Sequence, residues 1–109
     1  MKTVTNIAVT GRAAAIFRSE MKKRRPGSRE VIVLHFMPSF SNADGTTVDG
    51  FSPGYTIDYV ADRDFGALWL MARLPDGTAF RFMPKFEWSA DRRDVVDQAS
   101  AYTLSIKTM

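Results

Sequence analysis

The stretch Ala67-Leu68-Trp69-Leu70-Met71-Ala72-Arg73-Leu74-Pro75-Asp76-Gly77-Thr78-Ala79-Phe80-Arg81-Phe82-Met83 decides the fold, because it reads as two strands joined by a tight turn. Pro75 suits the second turn position, where its ring presets φ, and Gly77 suits the position that needs a left-handed backbone. With Leu74 opposite Thr78, Ala72 faces Phe80 and Leu70 faces Phe82. Side chains alternate across a strand, so one hairpin face carries Leu68, Leu70, Ala72, Phe80 and Phe82 and is expected to be core. The other carries Trp69, Met71, Arg73, Ala79, Arg81 and Met83, with Trp69 facing Met83 and Met71 facing Arg81. Large soft side chains beside arginines make this second face the candidate binding surface.

Upstream, Tyr55-Thr56-Ile57-Asp58-Tyr59-Val60 reads as a strand and Ala61-Asp62-Arg63-Asp64-Phe65-Gly66 as an acidic turn. Residues 38 to 54 are dense in Gly, Pro, Asn, Asp and Ser and form a long loop, in which Phe40 and Phe51 either fold back on the core or face a partner. Glu30-Val31-Ile32-Val33-Leu34-His35-Phe36-Met37 is nearly continuous apolar, which predicts a central strand covered on both faces. His35, the only histidine, shares a face with Val31, Val33 and Met37 and reads as a hydrogen-bonded packing residue rather than a base or ligand. Ala13, Ile16, Phe17 and Met21 recur at helical spacing, giving a helix near 12 to 24 that Pro26-Gly27 stops. Residues 3 to 9 read as a short strand.

Downstream, Ser89 as N-cap and Asp91 in the first turn predict a helix through Ala99 that buries Val95, Val96 and Ala99. A last strand is expected over 101 to 107. The whole is expected to be a single α+β domain over residues 1–109, since two cores would each be too small to offset chain entropy. Its expected form is a mostly antiparallel sheet of five to six strands with two helices packed on one face, a ferredoxin-like variant.

The formal charge of +3 hides a polarity: residues 1 to 29 hold eight Lys/Arg against Glu20 alone, and the remainder holds seven against eleven Asp/Glu. Arg18, Lys22, Lys23, Arg24, Arg25 and Arg29 concentrate this charge on and after the first helix. Cations near a helix C-terminus complement its dipole, which accounts for one or two of them; the rest suit phosphate or an acidic partner. The absence of cysteine excludes disulfides and thiolate metal sites. With no signal-peptide pattern and no segment approaching ~18 apolar residues, a cytoplasmic protein without a membrane span is expected.

Catalysis needs two groups in matched protonation states, and a single histidine with carboxylates scattered over turns does not supply them. No GxSxG, phosphate loop or GxGxxG is present. Asp64-Phe65-Gly66 matches a kinase magnesium triplet by chance, and Asn42, Asp44, Thr46 and Asp49 lack the glycine and closing glutamate of a calcium loop. Gly77-Thr78-Ala79-Phe80-Arg81-Phe82 alternates aromatics as an RNA-recognition strand does, but the basic-Gly-aromatic triplet and a first-strand aromatic are missing, so no membership follows.

The expected function is therefore non-enzymatic, with no cofactor and no catalytic or metal-binding residues. The chain is read first as a small interaction protein that binds a protein partner through Trp69, Met71, Arg73, Arg81 and Met83 or through the long loop. Inhibitors or adaptors of phage or mobile-element type, for example against a bacterial defence system, have this general make-up. One alternative is a single-stranded nucleic-acid-binding domain in which the basic first helix engages phosphates and exposed aromatics stack on bases. The acidic residues from Asp44 to Asp64 oppose it unless they lie away from the basic end. Another is a homodimeric small-ligand-binding protein, with the open hairpin face as the homo-oligomer interface.

Overall fold

The computed structural model describes residues 1–25, 27–37, 43–46, 54–84, 93–100 and 103–108. The expectations for Phe40, Phe51, Ser89, Asp91, Ala101 and Tyr102 lie outside the described residues. In chain order the elements are β1 (Lys2–Thr3), β2 (Ile7–Val9), α1 (Gly11–Lys23), β3 (Glu30–Met37), β4 (Gly54–Ala61), β5 (Leu70–Arg73), β6 (Ala79–Phe82), β7 (Asp94–Gln98) and β8 (Leu104–Thr108).

The hairpin forms in the expected register, with Leu70 opposite Phe82, Met71 opposite Arg81 and Ala72 opposite Phe80. The Leu74 N–H donates to the Thr78 carbonyl at 2.8 Å, and Gly77 takes φ +94°. Around this hairpin the sheet is mixed. Strand β6 runs parallel to β3, β3 antiparallel to β4, and β4 antiparallel to β8, which pairs antiparallel with β7. The spatial order is β1-β5-β6-β3-β4-β8-β7-β2, so β3 is central as expected.

Both edges of this order come from one short piece of chain. The Val4 N–H donates to the Met71 carbonyl at 2.9 Å, while the Asn6 carbonyl accepts from the Asp94 N–H at 3.3 Å. β1 runs parallel to β5, and β2 runs parallel to β7 at the far end of the order. Three residues, Val4 to Asn6, span at most about 11 Å, so the sheet must curl until its ends almost meet. The result is a curled half-barrel sheet, and the single strand expected over 3 to 9 is divided between its two ends.

This overturns the ferredoxin-like, two-helix α+β expectation: one helix and eight mixed strands are found among the described residues. Residues Asp94–Gln98, expected within a second helix, form β7 between β8 and β2. Val95 and Val96 are β-branched, and alternating burial along Asp94–Gln98 has the period of a strand. Pairing on both sides satisfies the backbone groups on both edges of the strand, which outweighs the weak local helix signal.

Helix α1 lies within the curl. Thr10 caps it, its hydroxyl accepting from the Ala13 N–H at 3.2 Å and donating to Asp97 Oδ1 at 2.7 Å. Ala13 and Phe17 are fully buried, and the Phe17 ring meets Phe80 with centroids 5.2 Å apart. They join Val4, Ile32, Leu34, Tyr55, Tyr59, Leu70, Ala72, Phe82, Val96 and Leu104 in one core. Leu68, expected in the core, is instead exposed, because the strand begins only at Leu70.

Two positions give checkable consequences. A Cβ on Gly54 would stand 2.7 Å from the Leu104 carbonyl oxygen and 2.9 Å from Thr103 Cβ, both at the β4–β8 seam. Gly54→Ala is expected to destabilise by about 1–3 kcal/mol in urea unfolding, as overpacking does, rather than to stabilise by stiffening the unfolded chain.

The second is Asp97, whose carboxyl is held below its ordinary value first by the Thr10 hydroxyl, with the Gln98 N–H and Arg12 assisting. Its folded pKa is the depressed one, so its contribution is present above the unfolded value and lost as pH falls through the folded value. Asp97→Asn is expected to narrow the gap between melting temperatures taken near neutrality and near pH ~3. Circular dichroism measures both.

Candidate partner-binding surface

The hairpin's outer face is not open along its length. After β4 the chain must travel over β3 and β6 to reach β5, and residues 62 to 69 make that crossing on the outside of the sheet. The crossing is pinned at its start, where the Asp62 N–H donates to the Arg29 carbonyl at 2.8 Å. Gly66, at φ +89°, turns the chain, with its N–H donating to Asp64 Oδ1 at 3.0 Å. Asp64-Phe65-Gly66 is thus a turn motif that aims one aromatic ring back at the sheet.

Phe65 is buried there, its ring 5.4 Å from the Arg81 guanidinium, 5.1 Å from that of Arg63 and 5.1 Å from the Trp69 ring. Arg81 also reaches Asp62 at 3.7 Å, and its side chain is only 12% exposed. Neighbouring Val33, paired with Arg81 in the sheet, is fully buried although it faces away from the main core. Arg81 therefore acts as an internal prop that holds Phe65, an attraction worth ~0.5–2 kcal/mol for such cation–π pairs. Of the five residues read as partner-binding, Arg81 is largely covered, Trp69 and Met71 are half-buried, and Arg73 and Met83 are exposed. The Arg73 guanidinium donates to the Gly77 carbonyl at 2.9 Å, which commits it to the turn.

The exposed large hydrophobics among the described residues lie elsewhere: Leu68 at 74%, Met83 at 47%, Met1 at 46% and Phe36 at 38%. They converge on one end of the sheet. The Lys2 N–H donates to the Trp69 carbonyl, which sets Met1 beside Trp69, and Leu68 directly precedes Trp69. Met83 follows the Leu70–Phe82 pair on the neighbouring strand. The Tyr55 hydroxyl donates to the Met83 carbonyl at 3.5 Å, and the Phe36 ring stands edge-on to Tyr55 at 5.5 Å. Burial raises the Tyr55 pKa, with Asp94 adding to the shift, so the phenol stays a neutral donor at this rim.

Strand alternation found Trp69 and Met83 but missed Met1, Leu68 and Phe36. Their exposure follows from where strands end and the sheet curls, and only Phe65, a lone aromatic in an acidic turn, carried a local signal for the crossing.

The other expected sites are placed as follows. Arg18, Lys22, Lys23, Arg24, Arg25 and Arg29 are all exposed. Arg24 pairs with Asp58 at 3.3 Å and lies over the Tyr59 ring at 5.5 Å, and Lys23 reaches Glu20 at 3.8 Å. His35 is exposed rather than packed, its Nε2 3.8 Å from Asp58 Oδ2. Asp44 accepts from the Thr46 N–H and hydroxyl, the geometry of a turn and not of a cation loop. An open groove of about 370 Å³ beside β2 is lined by Thr5, Asn6, Ile7, Ala8, Arg93 and Asp94. Its charged lining among the described residues is the buried Asp94 carboxylate and the exposed Arg93 guanidinium. No group of three or more His, Asp or Glu able to hold a metal, and no helix long and apolar enough to cross a membrane, occurs among the described residues.

Comparison with protein-family models, curated proteins and solved structures finds no match to this chain. The half-barrel, with one helix among the described residues packing Ala13 and Phe17 into its curl, therefore stands on its own geometry.

Proposed function

We propose that this chain is a non-enzymatic protein-binding domain, acting as an inhibitor or adaptor, that takes apolar side chains of a protein partner onto the rim formed by Met1, Phe36, Leu68, Trp69 and Met83. The observation that carries the reading is the gathering of the exposed large hydrophobics at one end of the sheet around a half-buried tryptophan. Singly scattered apolar residues need no explanation, whereas several at one end of a sheet suit an interaction site, and Trp and Met are enriched in interfaces. The crossing at residues 62 to 69 supports the same reading. It presents Leu68 on a turn whose base is fastened by Phe65 and Arg81, so little ordering entropy remains to be lost on binding. The lack of cysteine suits action in the reducing cytoplasm.

A photo-crosslinking amino acid at position 68, introduced in cells that make the protein naturally, tests this. The expected result is a covalent adduct to a different protein, absent when the probe sits at Asp76 and lost when Met83→Asp is added. An adduct only to a second copy replaces the reading with a homodimer interface. No adduct from position 68, or equal adducts from both positions, overturns it.

A further inference from the structure

We propose that a second, separate surface, built from the last turns of α1 and the segment that follows, binds the phosphate backbone of nucleic acid without sequence preference. It does not depend on the apolar rim. The strand between them sets the distance: Arg29 precedes the first residue of β3, whereas Phe36 lies near its last, roughly 20 Å further along at ~3.3 Å per residue.

Two of the six cations there are already engaged, Lys23 by Glu20 and Arg24 by Asp58. The other four, Arg18, Lys22, Arg25 and Arg29, are exposed; Arg18 lies within electrostatic reach of the Asp76 carboxylate at the hairpin turn, whereas Lys22, Arg25 and Arg29 form no salt bridge among the described residues. Arg18 and Lys22 are one helical turn apart, and Arg25 follows just beyond the helix end, after the non-helical Arg24. Arg29 is fixed rather than trailing. Its carbonyl accepts from the Asp62 N–H, and the adjoining turn is closed by the Gly27 N–H donating to Glu30 Oε1 at 2.9 Å. From Arg18 to the helix end at Lys23 the rise covers about 8 Å, the length over which one nucleic-acid strand presents about two phosphates, and Arg25 and Arg29 extend the cations beyond it.

Two of the three acidic residues of β4 and the following crossing are already engaged by cations, and Asp64 accepts from the Gly66 N–H. Asp58 is engaged by Arg24, and Asp62 by Arg81. A protein partner would be expected to find an apolar centre within its footprint, and the exposed large hydrophobics among the described residues lie at the rim instead. Tyr59, the aromatic nearest the cations, is buried beneath Arg24, so no ring is offered for stacking on a base. Cations without a stacking ring contact backbone and read no sequence.

The test is fluorescence anisotropy of the full chain with a labelled 20-base-pair duplex of arbitrary sequence, across ~50 to ~300 mM salt. Neutralising three to four phosphates is expected to make log K fall with log salt at a slope of about −3. Lys22→Glu with Arg25→Glu and Arg29→Glu is expected to weaken binding at least tenfold, while circular dichroism melting shows the triple variant folded. Three equivalent reversals at Lys2, Arg63 and Arg73, which change net charge equally, are expected to weaken it less than threefold. Leu68→Asp is expected to leave it unchanged. Absence of binding at ~50 mM salt overturns the proposal, as does equal loss in both triple variants. Binding to poly-glutamate as tight as to the duplex assigns the surface to an acidic protein instead.

Discussion

Phe80→Ala is expected to cost about 3–5 kcal/mol, the usual range for truncating a buried phenylalanine, which is a large part of the ~5–15 kcal/mol that holds a domain folded. The position is chosen by its neighbours. Phe80 is fully buried, with the Phe17 ring of α1 at 5.2 Å and the Phe82 ring at 6.0 Å. It is thus where the internal helix meets the hairpin, and a cavity there separates two elements that are far apart in sequence. The cost grows with the volume left unfilled, and a sheet fastened at both ends by residues 2 to 9 has little freedom to collapse onto it. Urea unfolding followed by tryptophan fluorescence measures the loss. A cost under ~1 kcal/mol would mean that the site relaxes, and hence that the curl is loose.

The second large effect concerns the closure. Val4 is buried in the core between the two bonds that tie the N-terminal segment to β5 and β7, while Thr3 and Thr5 on either side are exposed. Val4→Asp is expected to destabilise by several kcal/mol, because a carboxylate placed there loses its hydration without gaining a partner. Thr3→Asp and Thr5→Asp are expected to stay within ~0.5 kcal/mol of the parent, as surface changes do. Chemical denaturation of the three variants side by side gives the comparison. Equal behaviour of all three would mean that the segment does not enter the core.

What was legible in the sequence was what short-range periodicity determines. The facing pairs of the hairpin, the helix near 12 to 24 and the long apolar strand all appear where alternation, helical spacing and Pro-Gly punctuation place them. What failed were segments whose structure is set by distant partners. Val95 and Val96 sit at a spacing that a surface helix would also use, and only pairing with Ala8 and Val9 on one side and Ile106 and Lys107 on the other makes them a strand. Likewise nothing within residues 3 to 9 announces that its two halves join opposite ends of one sheet.

The candidate site shows the same division. Alternation placed Trp69 and Met83 on the outer face, but it could not show that residues 62 to 69 return over that face and cover Arg81. The basic charges were legible as a run. Which of them are neutralised depends on Asp58, brought alongside by the sheet.

The rim exists because the N-terminal segment reaches both ends of the sheet, setting Met1 beside Trp69 before the chain continues to β7. Cross-strand nuclear Overhauser effects in the uniformly labelled protein test this most directly. The expected result is contacts from Lys2 and Thr3 to Leu70 and Met71 and, in the same sample, from Ala8 and Val9 to Val95 and Val96. Sequential amide–amide contacts of a helix through Asp94 to Gln98, with no contacts from residues 2 to 9 to β5, would contradict the closure and remove the rim with it.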